Sequence, residues 1–239
     1  MKLFVCSDIH SYFYEFKKAL DEAGFEPNNS GHLLIVCGDY FDRGPLPAEV
    51  MCYLMKLKNK VLVKGNHEDL LLQCIEREYP CSNDYSNGTF STICELGGAG
   101  EGRPFDECCL IAEQRIKPFI RQMVDYYETA HYIFVHSFTP AVEDWRYAHA
   151  SQWEEARWGN PYTFIKQGLL PDKTLVFGHW HCSAGWAEEE GISEFGDDAK
   201  FDAFYGDGYI SIDACTAHSH KVNVIVLEDD LMEDDNNET

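Results

Sequence analysis

No stretch of this chain approaches the roughly 20 apolar residues that a membrane-spanning helix needs. The first apolar run, residues 3–6, gives way to polar residues too early to act as a secretion leader. The expectation is a cytoplasmic protein with no membrane contact. Positive charge is also scarce: 19 lysines and arginines stand against 41 aspartates and glutamates, a formal net charge of -22. So acidic a surface repels phosphate backbones, which excludes general nucleic-acid binding. Cysteine pairing of the metal-binding kind is missing. The ten cysteines include no C-x-x-C, only the adjacent Cys108 and Cys109. Cys6, Cys37 and Cys215 lie in or beside apolar runs, where a thiol behaves as a small hydrophobe, and disulfides are not expected in a reducing compartment. The glycine-rich stretch at 97–102 lacks the Lys-Ser/Thr that would make it a phosphate loop.

What is present suffices for a full core: 239 residues, 45% apolar, in one large domain without repeats. Strand-like runs at 2–7, 33–37 and 61–64 alternate with amphipathic segments at 12–23, 50–57 and 68–78. That order predicts a parallel sheet with right-handed helical crossovers. In the first helix Phe13, Phe16, Ala19, Leu20 and Ala23 share a face, and Gly24 stops it. Residues 80–106 shift to Asn, Ser, Gly and Pro and are read as a loop-rich insertion that covers the site. A helix is expected over 107–127, then strands at 131–135 and 175–177, a polar, acidic insertion at 183–207, and two hairpin-like strands at 209–212 and 222–227. These later strands suggest a second, mixed or antiparallel sheet packed on the first. The domain is expected to span 1–227, with 228–239 as an acidic, disordered tail.

Five strand-like runs end in side chains able to hold a metal: Asp8 with His10, Asp39, Asn66 with His67, His136, and His179 with His181. One strand-end histidine is commonly structural. Five such endings are another matter, because ligands of open α/β folds sit at the carboxyl edge of the sheet. Mixed histidine, carboxylate and amide donors suit manganese, iron or zinc. Asp8 and His10, two apart on extended backbone, would point the same way and clasp one ion. Asp39 would bridge, since a carboxylate between two cations relieves their repulsion, and Asn66, His136 and His179 would complete the second ion. Two ions about 3.5–4 Å apart share and acidify a water, the chemistry of phosphoester hydrolysis.

Taken together, Ser7-Asp8-Ile9-His10, Gly38-Asp39-Tyr40-Phe41-Asp42-Arg43-Gly44, Gly65-Asn66-His67-Glu68, the strand ending in His136 and Gly178-His179-Trp180-His181 resemble the motifs of the calcineurin-like metallophosphoesterases. The second and third are most similar to the phosphoprotein phosphatase branch, which includes phage, bacterial and diadenosine-tetraphosphatase members. The resemblance implies an α/β fold of two packed mixed β-sheets flanked by helices, a four-layer α/β/β/α sandwich. It also implies a binuclear-metal phosphatase in which a hydroxide shared by the ions is the nucleophile. His67 would protonate the leaving alkoxide, Asp42 would orient its imidazole, and Arg43 and Asn66 would grip phosphate oxygens. Two positions depart from that branch. Ser11 stands where glycine is usual. His181 has no counterpart there but matches a ligand of the broader family, so it is assigned to the Asp8/His10 metal, with a structural role as the alternative.

A second phosphate-binding arginine is expected between the last two motifs, with Arg157 as the candidate and Arg146 as its rival. His218 and His220 read as a solvated turn. Trp145, Trp153 and Trp158 are either core residues or a platform for an adenine ring. The leading expectation is a serine/threonine protein phosphatase with two divalent or mixed-valence ions, manganese first, iron or zinc open. Its substrates would be phosphorylated proteins or small phosphoesters. Symmetrical cleavage of dinucleoside polyphosphates is the alternative, and an inactive binding scaffold the third reading.

Overall fold

The computed structural model describes residues 1–98 and 102–231. Its first sheet holds β1 (Lys2–Cys6), β2 (His32–Cys37), β3 (Lys60–Val63) and β4 (Met123–Val124) in parallel, with β10 (Ile225–Glu228) antiparallel on the outer side of β1. The second sheet runs in the order β5 (Tyr126–Glu128), β6 (Tyr132–Val135), β7 (Thr174–Phe177), β9 (Tyr209–Ser211), β8 (Phe204–Gly206). Here β6, β7 and β9 are parallel and both edge strands antiparallel.

Period-2 alternation in these apolar strands explains the layering, because each inner strand must bury both faces. Leu3, Val5, Leu33, Ile35 and Cys37 point between the sheets and meet Phe134, Val176 and Ile210. Phe4, Cys6, Leu34 and Val36 point the other way, under α1 (Phe13–Ala23), α2 (Pro47–Lys56), α3 (Asn66–Arg77), α5 (Thr89–Gly97) and α6 (Phe105–Ile120). On the far side, Ile133, Val135, Leu175 and Phe177 pack beneath α7 (Ala150–Trp158) and α8 (Pro161–Lys166). The result is the expected four-layer arrangement of two mixed sheets flanked by helices. The ten cysteines are free thiols. Among the described residues no helix is long and apolar enough to cross a membrane.

Several boundaries differ from the sequence reading. The insertion at 80–106 is mostly helical: α4 (Ser82–Asn87) and α5 occupy it, and Ile93 and Leu96 are fully buried with Cys108 and Ala112 of α6. Tertiary burial there overrides weak local propensity. The helix expected to reach 127 stops at Ile120, so that Met123 and Tyr126 can begin edge strands of the two sheets. The acidic insertion opens with α9 (Cys182–Glu190). The two closing strands do not share a sheet. Instead β9 pairs with β7 and β10 with β1, because the polar alternation of a strand says nothing about which sheet it joins. Residues 228–231 also belong to the fold. The Asp229 carboxylate is buried and accepts the Thr129 hydroxyl at 2.6 Å and the His131 N–H at 2.9 Å, and Leu231 pairs with Thr129. The expectations for 99–101 and for the tail from 232 lie outside the described residues.

Candidate active site

The carboxyl ends of β1, β2, β3, β6 and β7 deliver Asp8, Asp39, Asn66, His136 and His179 into one place. Close packing of backbone makes this possible. A Cβ on Gly38, whose φ is 87°, would strike the His136 ring, and one on Gly65 would strike the Asp39 carboxylate. Asp8, His10, Asp39, Asp42, Arg43 and His179 all have positive φ, between 48° and 71°. Non-glycine residues seldom adopt that region, and strain of this kind gathers at functional sites. The Asp8–His10 turn is therefore not extended as expected, yet it still brings the two side chains together.

Asp39 is the centre. Its Oδ2 lies 3.6 Å from His10 Nε2 and 3.9 Å from His67 Nε2, while its Oδ1 lies 3.4 Å from His136 Nε2. The two oxygens thus face two separate groups of donors: His10, Asp39 and His67 on one side, Asp39, His136 and His179 on the other. Asp8 Oδ1 approaches His10 Nε2 at 3.9 Å, adding a carboxylate to the first group. Asn66 Oδ1 sits 2.8 Å from His136 Nε2 and 3.1 Å from His179 Nδ1, so an amide oxygen and two imidazole nitrogens converge on the second. Backbone carbonyls fix the rings. The Nδ1 atoms of His10 and His136 lie 2.9 and 2.8 Å from the carbonyls of Phe41 and Cys37, and donating there leaves each Nε2 lone pair for a ligand.

Electrostatics divide the histidines. Burial pushes His10 well below the ordinary imidazole range, with the Arg43 charge adding to it, and burial also lowers His136. His179 falls to about 3, through burial and then the nearby His136. These three are neutral near pH 7 and able to donate lone pairs. His67 goes the other way. Burial would lower it, but the charges of Asp39 and Asp42 prevail and hold it above its ordinary value. For Asp39, burial opposes ionisation, yet His136, His67, His10 and His179 outweigh it and keep the carboxyl below the usual range. Asp8 is raised well above that range by burial and by the carboxylates Asp213 and Asp39, a crowding of negative charge that a bound cation would relieve.

Around His67 the parts expected for proton transfer are in contact. Its Nδ1 is 2.8 Å from Asp42 Oδ2 and its Nε2 is 3.3 Å from the Arg43 guanidinium, which is exposed. Asp42 is fully buried and held by two residues that the sequence reading passed over. Thr89 donates to its Oδ2 at 2.6 Å, and Thr92 donates to its Oδ1 at 2.8 Å while accepting its N–H at 3.1 Å. The segment read as a covering loop is therefore a helical brace. The spacing of three between Thr89 and Thr92, which sets them on one helix face, is the available signal. Glu68, quoted in its motif without a role, accepts the N–H groups of Asp39, Tyr40 and Gly65 at 3.1, 3.0 and 2.9 Å, locking two of the motif loops together. Burial, then the Asp39 charge, raises Glu68 to about 8. Asp213, just past β9, is a further buried carboxylate of the site, raised by burial to about 6.

Other expected residues lie elsewhere. His181 turns its Nδ1 to Ser183 Oγ at 2.9 Å and Glu194 at 3.2 Å, and Glu194 is its only carboxylate within 4 Å among the described residues. Among the described residues it has no ion pair within 4 Å to Asp8, and it stands outside both donor groups around Asp39. Arg157 is buried against Asp69 and Asp125 rather than open to a ligand. Its rival Arg146 is forked onto Glu128 at 2.8 Å and lies over Trp145. Trp145 and Trp153 are core residues packed on Tyr126, while Trp158 is half exposed. His218 is helical, within α10 (Thr216–Ser219), and touches Phe195 and Phe201. His220 caps that helix and meets Tyr12.

The family model described as Calcineurin-like phosphoesterase matches residues 1–222. A curated relative, the serine/threonine-protein phosphatase 6 catalytic subunit of Caenorhabditis elegans, is 33% identical over 125 residues, which cover 49% of this chain and 37% of that protein. The match thus spans well under half of the relative's length. Among solved structures, a putative diadenosine tetraphosphatase superposes with a TM-score of 0.56 at 15% identity, covering 94% of this chain and 93% of the other. A cold-active protein-tyrosine phosphatase from a Shewanella species superposes with a TM-score of 0.56 at 13% identity, covering 95% and 75%. Likeness at that identity speaks for the fold alone.

Proposed function

This chain belongs to the calcineurin-like phosphoesterase family, and from that premise we propose that it is a two-metal phosphomonoesterase acting on phosphoserine or phosphothreonine in proteins. The observation that carries the proposal is Asp39, whose two oxygens face two distinct donor groups and so fit a bridge. Asp8, His10 and Asp39 would hold one cation; Asp39, Asn66, His136 and His179 would hold the other. The mixture of nitrogen, carboxylate and amide donors fits manganese, with iron or zinc as the alternatives. Two such cations, when bound, supply a more acidic water and neutralise phosphate charge.

The chain's own residues do the rest. The exposed Arg43 fork beside His67 grips non-bridging phosphate oxygens. His67, held above its ordinary value by Asp39 and Asp42, gives its Nε2 proton to the leaving alkoxide, and Asp42 on Nδ1 holds the ring in place for that transfer. An alkoxide is a poor leaving group, so a held proton donor matters most for serine and threonine esters. A scaffold without activity would have little use for this arrangement.

Cleavage of dinucleoside polyphosphates is the second reading. It is favoured by half-exposed Trp158 and by Trp180, whose ring lies 6.3 Å from that of His179. Against it, Trp145 and Trp153 are packed in the core, and residues 82–97 brace Asp42 instead of forming a nucleotide pocket. The test strips the protein with chelator, reloads it with Mn(II), counts bound metal, and supplies a phosphoserine peptide or diadenosine tetraphosphate. Two metals per chain with phosphate release from the peptide is the expected result. Turnover of the dinucleotide alone would overturn the substrate assignment, and no metal uptake would overturn the function.

A further inference from the structure

Arg157 occupies a joint between the elements that carry the second donor group. The residue is 4% exposed, and its guanidinium forks over two carboxylates from other parts of the chain. Nε and Nη2 each meet Asp69 Oδ2 at 2.9 Å, and Nη1 meets Asp125 Oδ1 at 2.8 Å. Asp69 lies on α3, the helix that begins with Asn66 and His67, and its other oxygen is paired with Lys64. The next two carbonyls along from Arg157 are also engaged. That of Trp158 lies beside the His179 ring, and that of Gly159 accepts the Ser137 hydroxyl at 2.5 Å, one residue past His136. The last turn of α7 therefore touches α3, the end of β6 and the end of β7, which are the three sources of Asn66, His136 and His179.

We propose that Arg157 is a positioning residue that sets the spacing of Asn66, His136 and His179 by tying the end of α7 to α3, and that it does not contact phosphate. The inference rests on the reading of those three side chains as metal-holding. A phosphate reaching the guanidinium would have to displace Asp69 or Asp125, and Asp69 is itself buried, so losing Arg157 would leave its charge with Lys64 alone. The fork suits a structural tie, because its planar donors hold two carboxylates at fixed angles, which a lysine does not. Direct hydrogen-bond partners of a metal ligand typically change metal affinity by about 10–100-fold when lost, and Arg157 acts one contact further out, through Asp69 on the helix of Asn66, which places its effect at the lower end of that range.

The experiment uses the full chain with Arg157→Gln, Arg157→Lys and Asp125→Asn. Mn(II) dissociation constants come from titration calorimetry on stripped protein. The inhibition constant of inorganic phosphate is measured at saturating Mn(II). For Arg157→Gln the expected result is a loss of about 10-fold at one of two Mn(II) sites, with the other site and the phosphate constant moving by less than about 3-fold. Arg157→Lys should recover only part of the loss, and Asp125→Asn, which keeps the Asp69 contact, should show about 3–10-fold at the same site. Should Arg157→Gln not fold, Asp125→Asn carries the test by the same criteria. Weakened phosphate inhibition with both metal constants intact would overturn the inference in favour of a phosphate clamp. Equal losses at both sites, or none in a folded variant, would also overturn it. A wild-type chain that binds no Mn(II) overturns the function and this inference together; wild-type uptake at two sites without selective loss in the variants overturns only the inference.

Discussion

Replacing Thr92 with valine should slow the reaction only where a proton must be delivered. The change preserves shape but removes the hydroxyl that donates to Asp42 Oδ1 at 2.8 Å and accepts the Asp42 N–H at 3.1 Å. A lost donor to a buried carboxylate together with an orphaned N–H costs about 2–4 kcal/mol. Against a usual folding stability of about 5–15 kcal/mol, the variant still folds, with a lower melting temperature. Part of that loss reaches His67, whose Nδ1 lies on the same carboxylate. If about 1–2 kcal/mol appears in the transition state, turnover of an alkyl phosphate such as a phosphoserine peptide falls about 5–30-fold. An aryl phosphate such as p-nitrophenyl phosphate, with a leaving group that needs little protonation, should fall by less than about 3-fold. The alkaline limb of the peptide reaction should also move to lower pH, because burial lowers His67 once the hold of Asp42 loosens. Steady-state kinetics of both substrates on metal-loaded protein reads this directly. Equal falls for the two esters, or an unmoved alkaline limb, would refute the reasoning.

Three further outcomes are expected. His67→Asn should cut phosphopeptide turnover by about 10²–10⁴-fold while leaving the count of bound metals unchanged, as read by elemental analysis beside kinetics. His181→Ala should keep both metals with affinities within about 3-fold of wild type, a smaller effect than loss of even a supporting contact to a ligand, because His181 stands outside both donor groups around Asp39; loss of one metal would restore it to the ligand set. The metal-free chain should melt at lower temperature as pH rises from about 6.5 to 8, a window set by the ordinary histidine value and by Glu68 at about 8. Within it the raised pKa values of His67, Glu68 and Asp8 act with one sign: the folded chain holds protons that the unfolded chain releases, so stability falls as those protons are stripped. The lowered values of His10, His136 and His179 oppose this only near the ordinary histidine value, where the unfolded chain holds their protons, so the fall is steepest in the upper part of the window. Saturating Mn(II) should flatten the slope, and a melting temperature that rises over this window without metal would contradict the assignment.

Much of the site was legible because strand ends are marked twice, by an apolar run before them and by polar residues after a glycine. Asp39, Asn66 and His179 carry both marks, Asp8 and His136 only the apolar run before them, and the positions of Asp42, Arg43 and His67 follow from the motifs. What stayed hidden depends on contacts between distant segments. Thr89 and Thr92 sit in a segment with weak helical propensity, and only the burial of Ile93 and Leu96 against α6 makes it a helix. Arg157 carries the right charge for a phosphate, and nothing in its local sequence reveals Asp69, 88 positions away, as its partner. His181 has the right spacing for a ligand, but the residues that claim it, Ser183 and Glu194, come from the start of α9 and the insertion beyond. Glu68 could have been recognised: a glutamate three residues after the glycine that opens a helix is placed to accept that glycine's N–H.

The same features that build the site weaken the chain without metal. Asp8, His10, Ser11, Asp39, Asp42, Arg43 and His179 hold left-handed backbone, and each such residue costs about 1–3 kcal/mol. Asp8, Asp39, Glu68 and Asp213 are buried carboxyl groups sharing one region, and burial with mutual repulsion raises three of the four. Closely spaced anions around converging lone pairs are the arrangement that cations stabilise, so metal uptake and folding should be coupled. Ligand present at 100 times its dissociation constant stabilises the folded state by about 2.7 kcal/mol. Two sites filled to that degree would contribute about 5 kcal/mol, comparable to the cost of several strained residues. On this argument the strain is tolerated because the bound form, rather than the empty one, is the state the sequence is fitted to. Its consequence is a melting temperature that climbs with Mn(II) concentration and falls back on chelation. A melting temperature indifferent to both would mean that the strained loops are held by the packing of the fold alone.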